Sequence, residues 1–320
     1  MADPGIGRGE VLAARERIDG YVRRTPVLEL GQGAFGLAAR VTLKLELTQY
    51  TGSFKPRGAY NKLLASEVPD AGVIAASGGN FGLAVAHAAR TLGYRAEIFV
   101  PSYSPKVKAE RIRALGAEVT VVDGYYDEAL AASRGRAEES GALVMHAYDQ
   151  PEIVAGQGTV GAELAEQVPD ADTVLVAIGG GGLIGGIGAW YEGRTRVIGV
   201  EPEASTSMSS AIAAGGPVDV TYGGYAADSL GTRRAGEIAF DIVSEHVQSV
   251  VLVSDDAIRD AQLRLWQEVR IFAEPGGATS LAALLSGAYG AQPGEHVAVV
   301  VCGANGDLEA VAGTSDPRAT

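Results

Sequence analysis

The chain has 320 residues, of which 47% are hydrophobic, and its 39 Asp and Glu against 26 Lys and Arg give a formal net charge of −13. That length supports about two domains around a large core, and that charge excludes nucleic acid and anionic membranes as partners, which both need a basic footprint. The only cysteine, Cys302, excludes an internal disulfide and fits a reducing cytoplasm; after Met1 come Asp3, Gly5 and Arg8, with no apolar signal region. Val- and Ile-rich runs predict strands at 41–47, 73–76, 96–100, 118–122, 143–146, 173–178, 196–200, 249–253 and 296–301. Between them, helical patterns cover 57–64, 81–92, 105–115, 127–140, 157–167, 257–269 and 278–285. Several strands are almost wholly apolar, as strands buried on both faces are, and the alternation points to parallel sheets in an α/β fold. No charge occurs between Asp172 and Glu192, but the stretch is short and rich in glycine, so it reads as strand, loop and buried helix start rather than a membrane span. No period of repeat-protein length and no Pro/Ser-rich linker divides the chain, so a second domain is expected as an insertion into the first.

The segment TGSFKPRGAYNKL (51–63) places Lys55 directly before Pro56, which suits a first helical turn. A cation is the wrong charge for the positive end of a helix dipole, where Ser, Asn or Asp is the usual cap. Lys55 is therefore either a tolerated surface residue or placed there for chemistry.

Glycine loops follow several strands. AIGGGGLIGGIG (177–188) leaves a strand and opens a helix, so its backbone N–H groups can converge on a phosphate, or its glycines can serve close helix–sheet packing. No Gly-Lys-Ser/Thr follows, and the dinucleotide fingerprint fits poorly, with Glu201 as its only acidic partner. ASGGNFG (76–82) offers Ser77, Gly78, Gly79 and Asn80 to a carboxylate, or Asn80 as a plain cap. VCGANG (301–306) carries Cys302, which could be an ordinary core thiol, and EPGGATSL (274–281) alone is a turn. Loops beyond the carboxyl ends of parallel strands gather at one crevice. A phosphate loop, a carboxylate loop and a lysine whose ammonium a helix N-terminus disfavours together point to a phosphorylated aldehyde held as a Schiff base.

In this order SFKPRGA, SGGN, GQGT (156–159), GGGGL, GVEPE, ADSLG and CGAN resemble the fold-type II pyridoxal-phosphate enzymes, closest to the threonine/serine dehydratase and serine racemase branch, over 18–312. The resemblance implies a two-domain α/β fold with open, parallel-rich twisted sheets flanked by helices. A small mobile domain, 66–147, would be inserted into a large cofactor-binding domain, 1–65 and 148–320. Lys55 would carry pyridoxal 5'-phosphate covalently and then act as base at the substrate Cα. Phe54 would pack beside the ring, and Gly179, Gly180, Gly181, Gly182 and Leu183 would bind the phosphate. Asn80 would bond the ring 3-oxygen, and Ser77, Gly78, Gly79 and Asn80 the substrate carboxylate. Cys302 would face the pyridine nitrogen, and a neutral thiol there favours elimination over transamination. The implied activity is a cytoplasmic, homodimeric ammonia-lyase that converts L-threonine, L-serine or a bulkier 3-hydroxy analogue to the 2-oxo acid and ammonia. A racemase or β-replacement synthase on the same scaffold, and a non-catalytic phosphate-ligand binder, are the alternatives.

Departures from the branch bear on these expectations. Gly78 stands where relatives have Ser or Ala, and the racemases use that Ser as a second acid, so its loss favours dehydration. Phe81 replaces a common His and Ser229 a common Gly, both at the substrate pocket. No diacid-binding Arg is evident; Tyr125, Tyr126 and Asp127 occupy that region and read as surface residues. Glu201 matches a cation ligand of the branch, for Mg²⁺ or Ca²⁺, or is a strand-end surface acid, and Ser207 replaces a later acidic ligand. His87, His146, His246 and His296 show no ligand spacing, Arg233-Arg234 reads as a solvated pair, and Trp190 and Trp266 read as core. Only 18 residues follow Cys302, so no C-terminal regulatory domain is expected.

Overall fold

The computed structural model describes residues 5–102, 104, 106–124 and 126–307. In chain order the elements are α1 (Arg8–Ile18), β1 (Val27–Glu29), β2 (Arg40–Lys44), α2 (Pro56–Leu64), β3 (Val73–Ala76), α3 (Asn80–Leu92), β4 (Ala96–Pro101), α4 (Lys106–Ala114), β5 (Glu118–Val122), α5 (Tyr126–Ser140) and β6 (Leu143–Met145). They continue with α6 (Pro151–Gln167), β7 (Thr173–Ala177), α7 (Gly182–Tyr191), β8 (Arg196–Pro202), α8 (Ser207–Ala214), α9 (Ala227–Leu230), α10 (Glu237–His246), β9 (Ser249–Val253), α11 (Asp255–Val269), α12 (Pro275–Leu285) and β10 (His296–Val300).

The strands form two sheets. One runs β1-β2-β10-β7-β8-β9 and the other β5-β4-β3-β6. Every pairing is parallel except the short β1–β2 edge. Residues of β3, β7 and β10 are buried throughout, as central strands that are almost wholly apolar must be. Val299 of β10 pairs with Leu43 on one side and Leu175 on the other, which stacks the largest apolar side chains across the middle of the first sheet. The core on one face of the second sheet also draws Ile18, Tyr60, Leu63 and Ile153 from outside 66–147.

Every strand expected from the sequence is present, with ends moved by a few residues. α6 begins at Pro151, ahead of the expected 157, because Pro151 is already set for a first turn. The glycines of GQGT let helices touch: a Cβ on Gly156 would stand 2.7 Å from the backbone of Arg57 and Gly58, so α6 lies directly against α2, which begins beside Lys55. Trp190 is buried as expected, but Trp266 is 46% exposed. α11 buries Ile258, Ala261, Gln262 and Leu265, and Trp266 falls just off that stripe, where Arg270 lies over its ring. Among the described residues, no helix is long and apolar enough to cross a membrane.

Candidate active site

Lys55 is the N-cap residue of α2, and Pro56 is the first helical residue. Its side chain is partly buried against two aromatic rings, with Nζ 5.0 Å from the centroid of Phe54 and 5.7 Å from that of Phe81. Nζ donates to the carbonyl of Ala147 at 2.9 Å. Burial lowers the amine to about 8, and the acidic groups nearby, Glu274 foremost once ionised, oppose that shift without cancelling it. The direction matches the expectation from the sequence; the main cause is desolvation rather than the helix dipole.

What holds Lys55 in place was not legible from the motif. Two residues on, Arg57 is fully buried and donates to Glu46 from Nε and Nη2, both at 2.8 Å. It also donates to Glu163, at 2.8 Å from Nη1 and 3.0 Å from Nη2, and to the Thr159 hydroxyl at 3.1 Å. Lys44 completes the cluster through Glu163 at 2.8 Å and Gln167 at 2.7 Å. The cluster ties α2 to β2 and α6, so the helix that presents Lys55 has its start fixed from both sides. A charged pair inside the apolar run 41–47 was the one sequence signal.

Gly181 caps α7 with φ +96°, a conformation that glycine adopts freely. No side chain caps this end, so the leading N–H groups of α7 stay available to an anion. The loop is also closely overlaid: a Cβ on Gly180 would sit 2.3 Å from the Tyr148 ring, and one on Gly179 would sit 2.9 Å from the Leu230 carbonyl. Both features fit a phosphate cradle. Behind the loop, Ser207 Oγ donates to the Gly179 carbonyl at 2.9 Å.

Glu201 is 0% exposed, so it is not a surface acid. Its carboxylate accepts from the N–H of Met208 at 2.7 Å, the N–H of Ser209 at 2.9 Å and the Ser209 hydroxyl at 2.6 Å. These bonds spend both oxygens on the start of α8. Among the described residues, no group of three or more His, Cys, Asp or Glu is arranged to hold a metal ion, at Glu201 or elsewhere.

Cys302 is buried, and its thiol donates to the Gly276 carbonyl at 3.4 Å. Burial pushes the thiol well above its ordinary range, so it stays neutral. Asn80 heads α3, donates through Nδ2 to Glu274 at 2.6 Å and accepts from Asn305 at 2.8 Å. Glu274 is the functional candidate that sequence reasoning missed, in a loop read as a turn. Burial raises its carboxyl to about 7, against the lowering effect of the Asn80 bond.

One cavity brings these groups together. It is lined by Phe54, Lys55, Asn80, Tyr148, the run Gly179, Gly180, Gly181, Gly182 and Leu183, and by Ser229, Glu274 and Cys302. Ser77, Gly78 and Gly79 are not part of this lining and stand partly exposed beside Asn80. A wider cleft of ≈ 330 Å³ opens where β4 and β5 begin; Arg95, Glu97, Glu118 and Arg136 line it, and it contains none of the expected site residues. Tyr126 is partly buried rather than a surface residue, and Tyr125 lies outside the described residues. Asp127 is exposed and pairs with Arg233 at 3.0 Å.

The family model for pyridoxal-phosphate dependent enzymes matches residues 18–303. The chain belongs to that family. This pyridoxal-phosphate dependent enzyme is 35% identical to an L-threonine ammonia-lyase of Thermotoga maritima, over 94% of this chain and 76% of that protein. It is 36% identical to a biosynthetic L-threonine dehydratase of Mycobacterium leprae, over 95% and 74% of the two chains. Among solved structures it superimposes on the processed form of threonine deaminase isoform 2 from Solanum lycopersicum with a TM-score of 0.89 at 29% identity, covering 98% of this chain and 92% of the other. A serine racemase of maize gives a TM-score of 0.89 at 31% identity, covering 97% and 96%.

For this family member, the pH response of Glu274 can be worked out. Its carboxyl is raised in the fold, so the stability it contributes is full below the ordinary value of 4.5 and is lost as pH rises through about 7. Glu274→Gln is expected to remove that component. Denaturant titrations across this range should show the variant gaining on the wild type as pH rises.

Proposed function

We propose that the protein is an ammonia-lyase for β-hydroxy-amino acids such as L-threonine and L-serine, releasing the 2-oxo acid and ammonia. One observation carries the reading: a partly buried lysine with a lowered pKa shares a cavity with an uncapped glycine-rich helix start. Pyridoxal phosphate, when bound, supplies the electron sink that takes up the pair left as the Cα–H bond breaks.

The chain's own residues do the rest. Lys55 Nζ would hold the cofactor and, once freed by the incoming substrate amine, would take the proton from Cα. The N–H groups of Gly179, Gly180, Gly181, Gly182 and Leu183 bind the phosphate. Asn80 has one amide N–H engaged by Glu274 and a second for the ring oxygen. The Cys302 thiol, kept neutral by burial, would face the ring nitrogen and would leave it without a full positive charge. The 77–80 loop binds the substrate carboxylate and so orients Cα–H toward Lys55. Phe54 and Phe81 exclude water from the amine.

Residues 66–147 contain every strand of the second sheet and act as the mobile unit over the substrate. The enzyme works as a cytoplasmic homodimer. The test is to incubate cofactor-loaded protein with L-threonine, L-serine and bulkier 3-hydroxy analogues, and to assay 2-oxo acid and ammonia. Product from none of them would overturn the assignment. The serine racemase likeness favours a second reading, which chiral chromatography of recovered substrate tests; the glycine at position 78 argues against it.

A further inference from the structure

Gly78 leaves a side-chain space, and another residue fills it. An added Cβ there would meet Ser104 Oγ at 2.5 Å, Ser104 Cβ at 3.0 Å and Val100 Cγ1 at 3.1 Å. Ser104 arrives from the neighbouring strand: it follows β4, and its N–H is held by the Pro101 carbonyl at 2.9 Å. The 77–80 loop is bound to the same strand, because the Ser77 N–H donates to the Phe99 carbonyl at 3.0 Å. The two loops therefore leave adjacent strands side by side, and Asn80 at the end of the first lines the cavity. Four residues beyond Ser104, Lys108 forms an ion pair with Asp228, next to the cavity residues Ser229 and Leu230.

We propose that Ser104 supplies the side-chain hydroxyl that binds the substrate carboxylate at this loop, and that position 78 is glycine because Ser104 occupies its side-chain space. The inference rests on the reading of 77–80 as the carboxylate loop. A hydroxyl is a suitable donor to a carboxylate, and it complements the uncapped N–H groups at the start of α3. Because that bond forms equally in ground and transition states, its loss falls on KM rather than kcat.

The test compares wild type, Ser104→Ala, Gly78→Ser and the double variant, all cofactor-loaded, with L-serine and L-threonine. Ser104→Ala is expected to raise KM about tenfold for both substrates, the size of one hydrogen bond to a charged group, with kcat within about twofold. Gly78→Ser is expected to lower both kcat/KM and the melting temperature, and adding Ser104→Ala to recover most of each, since space is freed and a hydroxyl returns from position 78. An unchanged KM in Ser104→Ala overturns the carboxylate role. A double variant no better than Gly78→Ser overturns the shared space. If the wild type turns over no hydroxy-amino acid, the functional assignment falls, and the Ser104 proposal is decided by calorimetric affinity for the same amino acids, which Ser104→Ala must weaken, and by the melting temperatures.

Discussion

Replacing Lys55 with alanine is expected to abolish the lyase activity, with a loss of at least about a thousandfold, because one amine both anchors the cofactor and moves the Cα proton. The fold should survive: the only hydrogen bond the amine makes to a described residue is to the Ala147 carbonyl, and a buried ammonium is a cost rather than a support. Borohydride reduction of the loaded wild type followed by peptide mass spectrometry should put the cofactor mass on the Lys55 peptide, and on no peptide of the variant. The pH dependence of loading gives a second check. An exposed lysine is free only near its ordinary value of 10.5, whereas Lys55 is lowered to about 8. Covalent loading of cofactor-free protein should therefore accelerate as pH rises through about 8 and level off above it. A midpoint near that of an exposed lysine, or a label on another residue, would refute the assignment.

The strands and the glycine loops were legible because their physics is local. An almost wholly apolar run such as Thr173–Ala177 has few alternatives to a doubly buried strand, and Gly179 to Gly181 lead directly into the helix that begins at Gly182. The convergence of the loops from β7 and β10 was legible too, since parallel strands of one sheet send their carboxyl ends to one side, whereas the loop after β3 belongs to the second sheet and joins them only through tertiary packing. What was not legible depends on partners distant in sequence. Glu274 gains its meaning from Asn80, 194 positions away. Glu201 reads as an exposed strand end until α8 folds back onto its carboxylate. Ser104 is an unremarked residue until β4 lies beside β3 and sets it against Gly78. Trp266 differs for a simpler reason: helical spacing among aliphatics marks a face, and a shift of one position moves a side chain off it.

The same dependence on distant partners makes Arg57 the residue with the largest expected effect on stability. Arg57→Met keeps the bulk of the side chain but leaves Glu46 and Glu163 buried around an apolar group, with Lys44 their only remaining cationic partner in the cluster. Breaking a buried network from one side costs about 3–5 kcal/mol, most of it the stranded charge. The sign of the pH dependence follows from Glu163. Burial alone would raise its carboxyl, but Arg57 and Lys44 outweigh burial and hold it below its ordinary value of 4.5. Its contribution to wild-type stability is therefore present above that value and lost on acidification. In the variant the stranded Glu163 carboxylate can instead take up a proton, which relieves the cost. Denaturant unfolding should accordingly show a wide gap between wild type and Arg57→Met at neutral pH that narrows as pH falls below the ordinary carboxyl value. A double variant, Arg57→Met with Glu163→Gln, should recover part of the loss at neutral pH and almost none in acid. Equal gaps at both pH values would mean that Arg57 acts by packing alone. A small gap at neutral pH would mean that the start of α2 is held by something other than this cluster.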